Sequence, residues 1–433
     1  MLVEFRVSNF RSFNETQTFS LVPGLDRKHK DHLIDAGGLK LLKCAAIYGA
    51  NASGKSNLIK ALNVMESFIC VSATQMNQGD RIPGVVPFRL SSRTASQPSR
   101  FAATVLLGDS LYEYGFSATA ERVIEEWLAV GPVKGPRRPW FRRIFDEAKG
   151  KTEWSFGGPL AKESAVLEER TRDNCLVLSR GAEQNVKALS GLFLWFSRRL
   201  WVLDLSLDPF HLVYETATYM KSSGDFAQRV VRLVRDADVN IEDIQIEDGP
   251  PPKPELMEFI GKLLPKTGSA KLDQEFVPPP RIQTLHRVRD TGTLVQFDMQ
   301  KDESKGSQRF FALAGPLVDA LVKGAVVVVD ELDCSMHPLL TRKLLELFQS
   351  PNVNAKGAQL VFTTHDSTLM IPSLFRRDQI WLVEKNAAEA SELRSLYDFK
   401  KPRSSEAFQK NYLAGRYGAV PNFGPTFEDL EIQ

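Results

Sequence analysis

The sequence predicts an α/β protein whose core is a parallel sheet. Two short apolar runs without alternation, Ala325–Val329 and Gln359–Thr363, have the length and β-branched content of strands buried on both faces. Each is preceded by a segment with helical periodicity, Arg309–Val322 and Pro338–Phe348. Strands that alternate with helices in this way are typical of parallel sheets.

The first part of the chain supplies a further strand, loop and helix. Leu2–Val7 alternates apolar and polar residues, Leu39–Tyr48 indicates a second strand, and Asn57–Phe68 has apolar residues at helical spacing. The runs Phe101–Leu107 and Leu111–Ala118 flank a Gly-Asp-Ser turn and predict an antiparallel hairpin. We therefore expect three regions: residues 1–160 with this antiparallel sheet, a mainly helical insertion at 161–300, and a C-terminal half at 301–433.

Composition excludes several classes of protein. The 433 residues carry a formal charge of +2, which gives no overall attraction to nucleic acid or membrane. The four cysteines form no C-x-x-C pair, so neither a zinc cluster nor a disulfide framework is indicated. The first twenty residues lack an apolar signal core, and no apolar stretch is long enough for a membrane span. A cytoplasmic protein without a membrane partner is expected.

Residues 49–56 match the phosphate-binding pattern G-x-x-x-x-G-K-[ST] and lie between a predicted strand and a predicted helix. The backbone N–H groups of such a loop surround phosphate, the lysine reaches the β/γ oxygens, and the hydroxyl residue ligates Mg²⁺. The alternative is a chance glycine-rich turn. The predicted ligands of ATP and Mg²⁺ are Gly49, Asn51, Ser53, Gly54, Lys55, Ser56 and Asn57.

Three further features carry the remaining candidates. Asp330 and Glu331 follow a valine strand, where the first acid would hold Mg²⁺ and the second would activate water; a capping pair of acids is the bland alternative. Ser304 and Gly306 precede the predicted helix Arg309–Val322, where they are either a second phosphate site or simply a helix cap. His365 follows the strand Gln359–Thr363 and is either a γ-phosphate ligand or an ordinary surface histidine.

In this order, these elements resemble the P-loop NTPases with an ABC-type ATPase head of the SMC and RecF-like branch. The start at Val7–Phe13, the run Asp330–Pro338 and the late segment Tyr412–Pro421 further resemble AAA-type ATPases of bacterial phage defence. That group is similar to the OLD ATPases and to ATPase subunits of abortive-infection, Septu and PARIS systems. The resemblance covers about 130 residues at each end and only loosely the middle.

The resemblance implies a head-to-head homodimer or higher oligomer with shared sites. Ser304 and Gly306 would contact the γ-phosphate bound to the opposing protomer, Arg11 would approach the nucleotide phosphates, and Asp333 would lie at the seam. Lys305 and Ser307 depart from the usual signature, which implies slow turnover, and no Q-loop glutamine is assigned.

The resemblance also implies a separate effector. The 68 residues after His365 contain no D-x-D pair of the kind a TOPRIM nuclease uses to hold metal, so this chain is expected to be an ATPase and not the nuclease. A TOPRIM or HNH nuclease would be the partner, with DNA or a phage protein as the trigger. The alternatives are a RecF-like DNA-binding ATPase of DNA repair, for which the basic, aromatic segment Lys134–Arg143 is a candidate surface, and a scaffold that never turns ATP over.

Overall fold

The computed structural model describes residues 1–26, 28–204, 210–237, 240–249, 279–399 and 407–421. The chain divides into two compact units. The first comprises Met1–Ser206, Ala320–Cys334 and Pro338–Gln433, and the second comprises Leu207–Asp319 and Ser335–His337. The region boundaries expected at residues 160 and 300 stay predictions.

The first unit contains the predicted parallel sheet. Its six strands are ordered β11-β15-β16-β5-β17-β18, and all neighbours are parallel except β17 and β18. The strands are β5 (Cys44–Tyr48), β11 (Leu200–Asp204), β15 (Val326–Asp330), β16 (Gln359–Thr363), β17 (Ile380–Lys385) and β18 (Ser391–Ser395). Every residue of β5, β15 and β16 is buried, which confirms the two buried strands predicted at Ala325–Val329 and Gln359–Thr363.

A seven-stranded antiparallel sheet is the second layer of this unit, in the order β10-β9-β8-β7-β6-β1-β2. Its strands are β1 (Leu2–Ser8), β2 (Gln17–Ser20), β6 (Ser99–Leu107), β7 (Ser110–Ala118), β8 (Val123–Pro132), β9 (Arg138–Asp146) and β10 (Lys151–Phe156). The predicted hairpin is β6–β7, with Leu107 opposite Ser110. One apolar cluster contains residues of both sheets and of helix α1 (Lys55–Val71), among them Phe5, Phe68 and Val328.

The single strand expected over Leu39–Tyr48 is two strands. β4 (Leu39–Leu42) pairs with β3 (Leu33–Ala36) in a small hairpin, whereas β5 belongs to the parallel sheet. The chain changes partner at Lys43, whose N–H donates to the carbonyl of His32. Apolar periodicity continues across this point and therefore gives no sign of the break.

Among its described residues, the first unit has further helices at Ser164–Arg170, Val177–Glu183, Lys187–Arg199, Pro338–Gln349 and Phe408–Leu413. In the second unit, helices Phe210–Ser222 and Gly224–Arg235 accompany an antiparallel sheet of β12 (Asp243–Glu247), β13 (Arg281–Arg287) and β14 (Leu294–Asp298). A long helix covers Lys305–Lys323. Among the described residues, no helix combines the length and the apolar character needed to cross a bilayer.

Candidate nucleotide site

The loop between β5 and α1 has the conformation that its glycines permit. Gly54 precedes the helix with φ +115°, a value that side-chain-bearing residues rarely adopt. A Cβ atom at Gly54 would lie 2.3 Å from Ser391 Oγ and 2.8 Å from Ser12 Oγ. Glycine is therefore required here both by the backbone and by the two serines packed against it.

Lys55 is buried, and its ammonium turns back onto the loop. Nζ donates to the carbonyls of Gly49 at 2.9 Å and Ala50 at 3.1 Å. Burial lowers the pKa of Lys55, while the charges of Asp330, Glu331 and Asp333 act in the opposite direction. The lysine and the acidic strand end therefore belong to one electrostatic site.

The other predicted loop residues differ in exposure. Asn51 is exposed, Ser56 is half-buried in the first turn of α1, and Ser53 is buried with an Oγ that has no hydrogen-bond partner among the described residues. Asn57 donates from Nδ2 to Ser12 Oγ at 2.8 Å. This bond ties the start of α1 to the turn that follows β1.

Arg11 belongs to that turn and is exposed. Its backbone is left-handed, with φ +49°, and its N–H donates to the carbonyl of Val86 at 2.8 Å. The buried Asn9 holds the turn in place: its Oδ1 accepts from the N–H of Phe88, and its Nδ2 donates to three backbone carbonyls. The Arg11 guanidinium lies 5.6 Å from the centre of the Phe10 ring.

The carboxyl ends of β5, β16 and β15 are adjacent because the strands are neighbours in the sheet. Asp330, 7% exposed, accepts a hydrogen bond at Oδ1 from Thr363 Oγ1 at 2.6 Å. The same hydroxyl oxygen accepts from the N–H of Glu331 at 2.7 Å. Glu331 has a left-handed backbone, φ +53°, so the chain turns sharply immediately after Asp330. One threonine thus positions both acids.

His365 is exposed at the same edge, and its N–H donates to Asp333 Oδ2 at 3.3 Å. Tyr48, the last residue of β5, is buried. Burial raises the pKa of Tyr48 well above its ordinary value, and the nearby charges of Asp366 and Asp333 raise it further. The Tyr48 ring meets the ring of Tyr412 edge-on, with ring centres 5.9 Å apart, so Tyr412 contacts the end of the strand that leads into the phosphate loop.

Ser304 and Gly306 belong to the second unit. Ser304 Oγ accepts from the N–H of Ser307 at 3.1 Å, the bond expected of an N-cap for the helix Lys305–Lys323. A Cβ atom at Gly306 would lie 2.8 Å from the Ser335 carbonyl oxygen, so this position also requires glycine. The other predicted site residues, Arg11, Gly49–Asn57, Asp330, Glu331 and His365, lie together in the first unit.

Several residues that organise the site escape sequence reasoning. Thr363 is the last residue of a predicted strand, and this position is the one feature of the sequence that could have indicated its contact with the acids. Ser391 had none: its Oγ donates to the Ser53 carbonyl at 2.5 Å and its N–H to the Ser12 carbonyl at 2.7 Å. These contacts join positions that are remote in the sequence.

The strand–loop–helix at Gly49–Lys55, the acidic end of a neighbouring parallel strand and the accompanying antiparallel sheet define a P-loop NTPase with an ABC-type head. The chain belongs to the family described as "AAA domain, putative AbiEii toxin, Type IV TA system", whose model matches residues 44–171 and 202–371. This class is the one expected from the sequence.

The solved structures that match this chain include SMC and RecF proteins. An SMC head bound to the C-winged helix domain of ScpA is 12% identical, with 91% of this chain and 97% of that chain covered and a TM-score of 0.46. The SMC head domain from Thermotoga maritima is 12% identical (91% and 98% covered, TM-score 0.39). RecF with ATP is 17% identical (84% and 92% covered, TM-score 0.28). No curated protein matches the sequence.

Proposed function

We propose that this protein is an ATPase that binds ATP at the loop Gly49–Ser56 and hydrolyses it with Glu331 as the base. The observation that carries the proposal is the pair of acids positioned by Thr363 beside the loop lysine, with hydrogen bonds of 2.6 and 2.7 Å. Lys55 would exchange its loop carbonyls for the β- and γ-phosphate oxygens. Charge on the transferring phosphoryl group would be stabilised by this lysine and by the first N–H groups of α1.

The side chains at the site suit Mg²⁺. Asp330 offers a carboxylate and Ser56 a hydroxyl, the oxygen ligands that this ion prefers. When bound, Mg²⁺ would neutralise charge on the β- and γ-phosphates. Thr363 would keep the Asp330 carboxylate in one orientation, and the sharp turn at Glu331 would present the second carboxylate to the attacking water. His365, exposed at the same edge, would contact the γ-phosphate.

A second copy of the chain would complete the site. The helix start capped by Ser304 has the dipole that suits a phosphate, and the resemblance to ABC-type heads assigns Ser304 and Gly306 to the nucleotide of the opposing protomer. Arg11 would approach the phosphates from the turn after β1. ATP would therefore hold two protomers together.

The biological role we propose is in anti-phage defence. The family description names a putative AbiEii toxin of a type IV toxin–antitoxin system, and the motifs quoted above resemble phage-defence ATPases. The ATP-bound oligomer would act in the cytoplasm as a sensor and scaffold. It would hold a separate TOPRIM or HNH nuclease until DNA or a phage protein triggers release.

The first experiment is the light-scattering mass of wild type and Glu331→Gln, each with and without Mg-ATP. Exposed Glu121 supplies a control, Glu121→Gln, with the same change of charge. The proposal is supported if both proteins are monomers without ATP and dimers with it. After the ATP has been hydrolysed, the wild type should return to a monomer, whereas Glu331→Gln should stay dimeric. If the mass is the same with and without ATP, and the same in wild type and Glu331→Gln, the ATP-dependent dimerisation is overturned and a scaffold is favoured.

Two further measurements test the role. Salt-sensitive DNA binding stimulated by ATP, without a protein partner, would favour the RecF-like alternative. Co-purification with the product of a neighbouring nuclease gene, lost on ATP addition together with the trigger, would support effector control. Protection against phage that persists in Lys55→Ala would contradict the proposed use of ATP.

A further inference from the structure

A group of possible metal ligands lies outside the nucleotide site, between the end of β2 and the start of β3. One ligand atom each of His29, Asp31 and His32 lies within 4.8 Å of the other two. His29 has a left-handed backbone, φ +46°, and the next three residues form a single 3₁₀ turn. Because positions three apart coincide on such a turn, the two imidazoles stack, with ring centres 4.5 Å apart and 18° between the ring planes.

The hydrogen bonds determine the tautomer of His32. Its Nδ1 lies 2.9 Å from Gln379 Oε1. The orientation of the Gln379 amide follows from its other bonds, because Nε2 donates to the Cys44 carbonyl and Oε1 accepts from the N–H of Arg376. Oε1 is thus an acceptor, Nδ1 carries the proton, and Nε2 of His32 keeps a lone pair.

The same reasoning applies to His29. Its Nε2 lies 2.7 Å from the carbonyl oxygen of Pro372, which can only accept, so Nε2 carries the proton and Nδ1 keeps the lone pair. Histidines that bind metal usually donate the other ring N–H to a carbonyl or carboxylate oxygen. Both histidines have this outer partner.

The segment that bears the three residues is firmly attached. Arg376, only 1% exposed, donates to the carbonyl of Lys28 at 2.5 Å, and Asp378 accepts from the N–H of Gly24 at 2.8 Å. The ligands therefore lie on a surface that is ordered by contacts with residues 372–379, and little ordering remains for a metal to impose.

Charge at the group is mixed. The Lys43 ammonium is close, since Nζ donates to the backbone carbonyls of Asp31 at 2.6 Å and Gln349 at 3.0 Å. Its charge opposes a cation, and the exposed Asp31 carboxylate offsets it.

We propose that His29, Asp31 and His32 form a Zn²⁺ site, with water or another ligand in the fourth position. Two imidazoles and one carboxylate suit zinc, whereas Mg²⁺ and Ca²⁺ prefer oxygen alone. All three ligands come from the segment 28–32, so the bound ion would brace this one turn, whose histidines already contact Pro372 and Gln379.

The test is competition for Zn²⁺ against a chromophoric chelator, in excess Mg²⁺ so that the nucleotide site takes no zinc. Asp31→Asn is the main variant because Asp31 is exposed and its side chain can be changed without opening the core. The control is His211→Gln, an exposed histidine four residues before Glu215 in the second unit. Thermal unfolding with and without Zn²⁺ serves as the second readout.

We expect wild type and His211→Gln to bind one Zn²⁺ per chain and to unfold at a higher temperature with the ion. Asp31→Asn and His29→Gln should bind at least about tenfold more weakly and lose the thermal shift. Equal affinity in wild type and Asp31→Asn would overturn the proposal, as would a loss of binding confined to His211→Gln. The readout does not depend on ATP hydrolysis.

Discussion

Thr363 Oγ1 donates to Asp330 Oδ1 at 2.6 Å and accepts from the N–H of Glu331 at 2.7 Å, so one hydroxyl on β16 links two acids on the neighbouring strand. Neither bond is possible for valine, which has nearly the same shape. The hydroxyl has one proton, which it donates to Asp330, and its oxygen accepts the Glu331 N–H. The two hydrogen bonds together determine the orientation of the Thr363 side chain.

Thr363→Val should therefore lower the rate of ATP hydrolysis at saturating ATP about tenfold or more, because the Asp330 carboxylate, which we propose holds Mg²⁺, loses its orientation. Stability should fall by about 1–3 kcal/mol, since the Asp330 carboxylate and the Glu331 N–H lose a buried partner. Steady-state kinetics against ATP and Mg²⁺ check the first effect, and denaturant unfolding checks the second. Thr363→Ser keeps the hydroxyl and should retain most activity; a valine variant as active as the serine variant would contradict the assignment.

Gly54→Ala should abolish nucleotide binding. The added Cβ would meet Ser391 Oγ at 2.3 Å, and alanine is strained at φ +115°. Binding of a fluorescent ATP analogue measures the loss. The control is Gly191→Ala in the helix Lys187–Arg199, where a Cβ meets nothing within 4 Å and alanine should stabilise by about 0.5–1 kcal/mol. Unimpaired binding in Gly54→Ala would show that the loop adopts another conformation.

Glu126 is completely buried and should be one of the least replaceable residues of the first unit. It pairs with Arg143 at 2.9 Å and accepts from the Tyr114 hydroxyl and from the N–H groups of Val177 and Leu178, which begin a helix. Glu126→Gln leaves the buried guanidinium without its counter-charge and should cost about 3–5 kcal/mol of unfolding free energy.

The comparison for Glu126 is the exposed pair Arg81–Glu121. Glu121→Gln should change the unfolding free energy by less than about 1 kcal/mol, because solvent screens exposed charges. Denaturant unfolding of both variants provides the measurement. Similar costs for the two substitutions would mean that the Glu126–Arg143 pair is not buried in solution.

Glu66, on α1, predicts a pH dependence. Burial raises its pKa above the ordinary 4.5, although hydrogen bonds from Cys70 and Ser67 oppose the shift. The folded chain therefore keeps a proton that the unfolded chain has released, and this contribution to stability is complete below pH 4.5 and declines as the pH rises through the raised value.

Glu66→Gln removes the ionisation, so its melting temperature relative to wild type should be higher at pH 7 than at pH 4. Glu168→Gln, an exposed change of the same kind, should show no such trend. Melting curves from pH 4 to 8 provide the test. A difference between Glu66→Gln and wild type that is constant with pH would exclude a raised pKa.

Local pattern determined much of this protein. The unbroken apolar runs of β15 and β16, the hairpin β6–β7 and the glycine-lysine loop before α1 each depend on residues close together in the sequence, so periodicity and motif spacing identify them. The same information located Asp330, Glu331 and His365 at strand ends. Parallel strands then place such ends at one edge.

Only the tertiary structure decided the partners of these residues. Ser391 hydrogen-bonds to Ser53 of the phosphate loop, 338 positions away in the sequence, and His32 hydrogen-bonds to Gln379, 347 positions away. The break at Lys43, where one predicted strand becomes β4 and β5, likewise depends on which neighbours the two halves pair with. A single hydrogen bond between distant residues produces no periodic pattern in the sequence. Any of many serines or glutamines could form such a bond, and packing of the folded chain determines which one does.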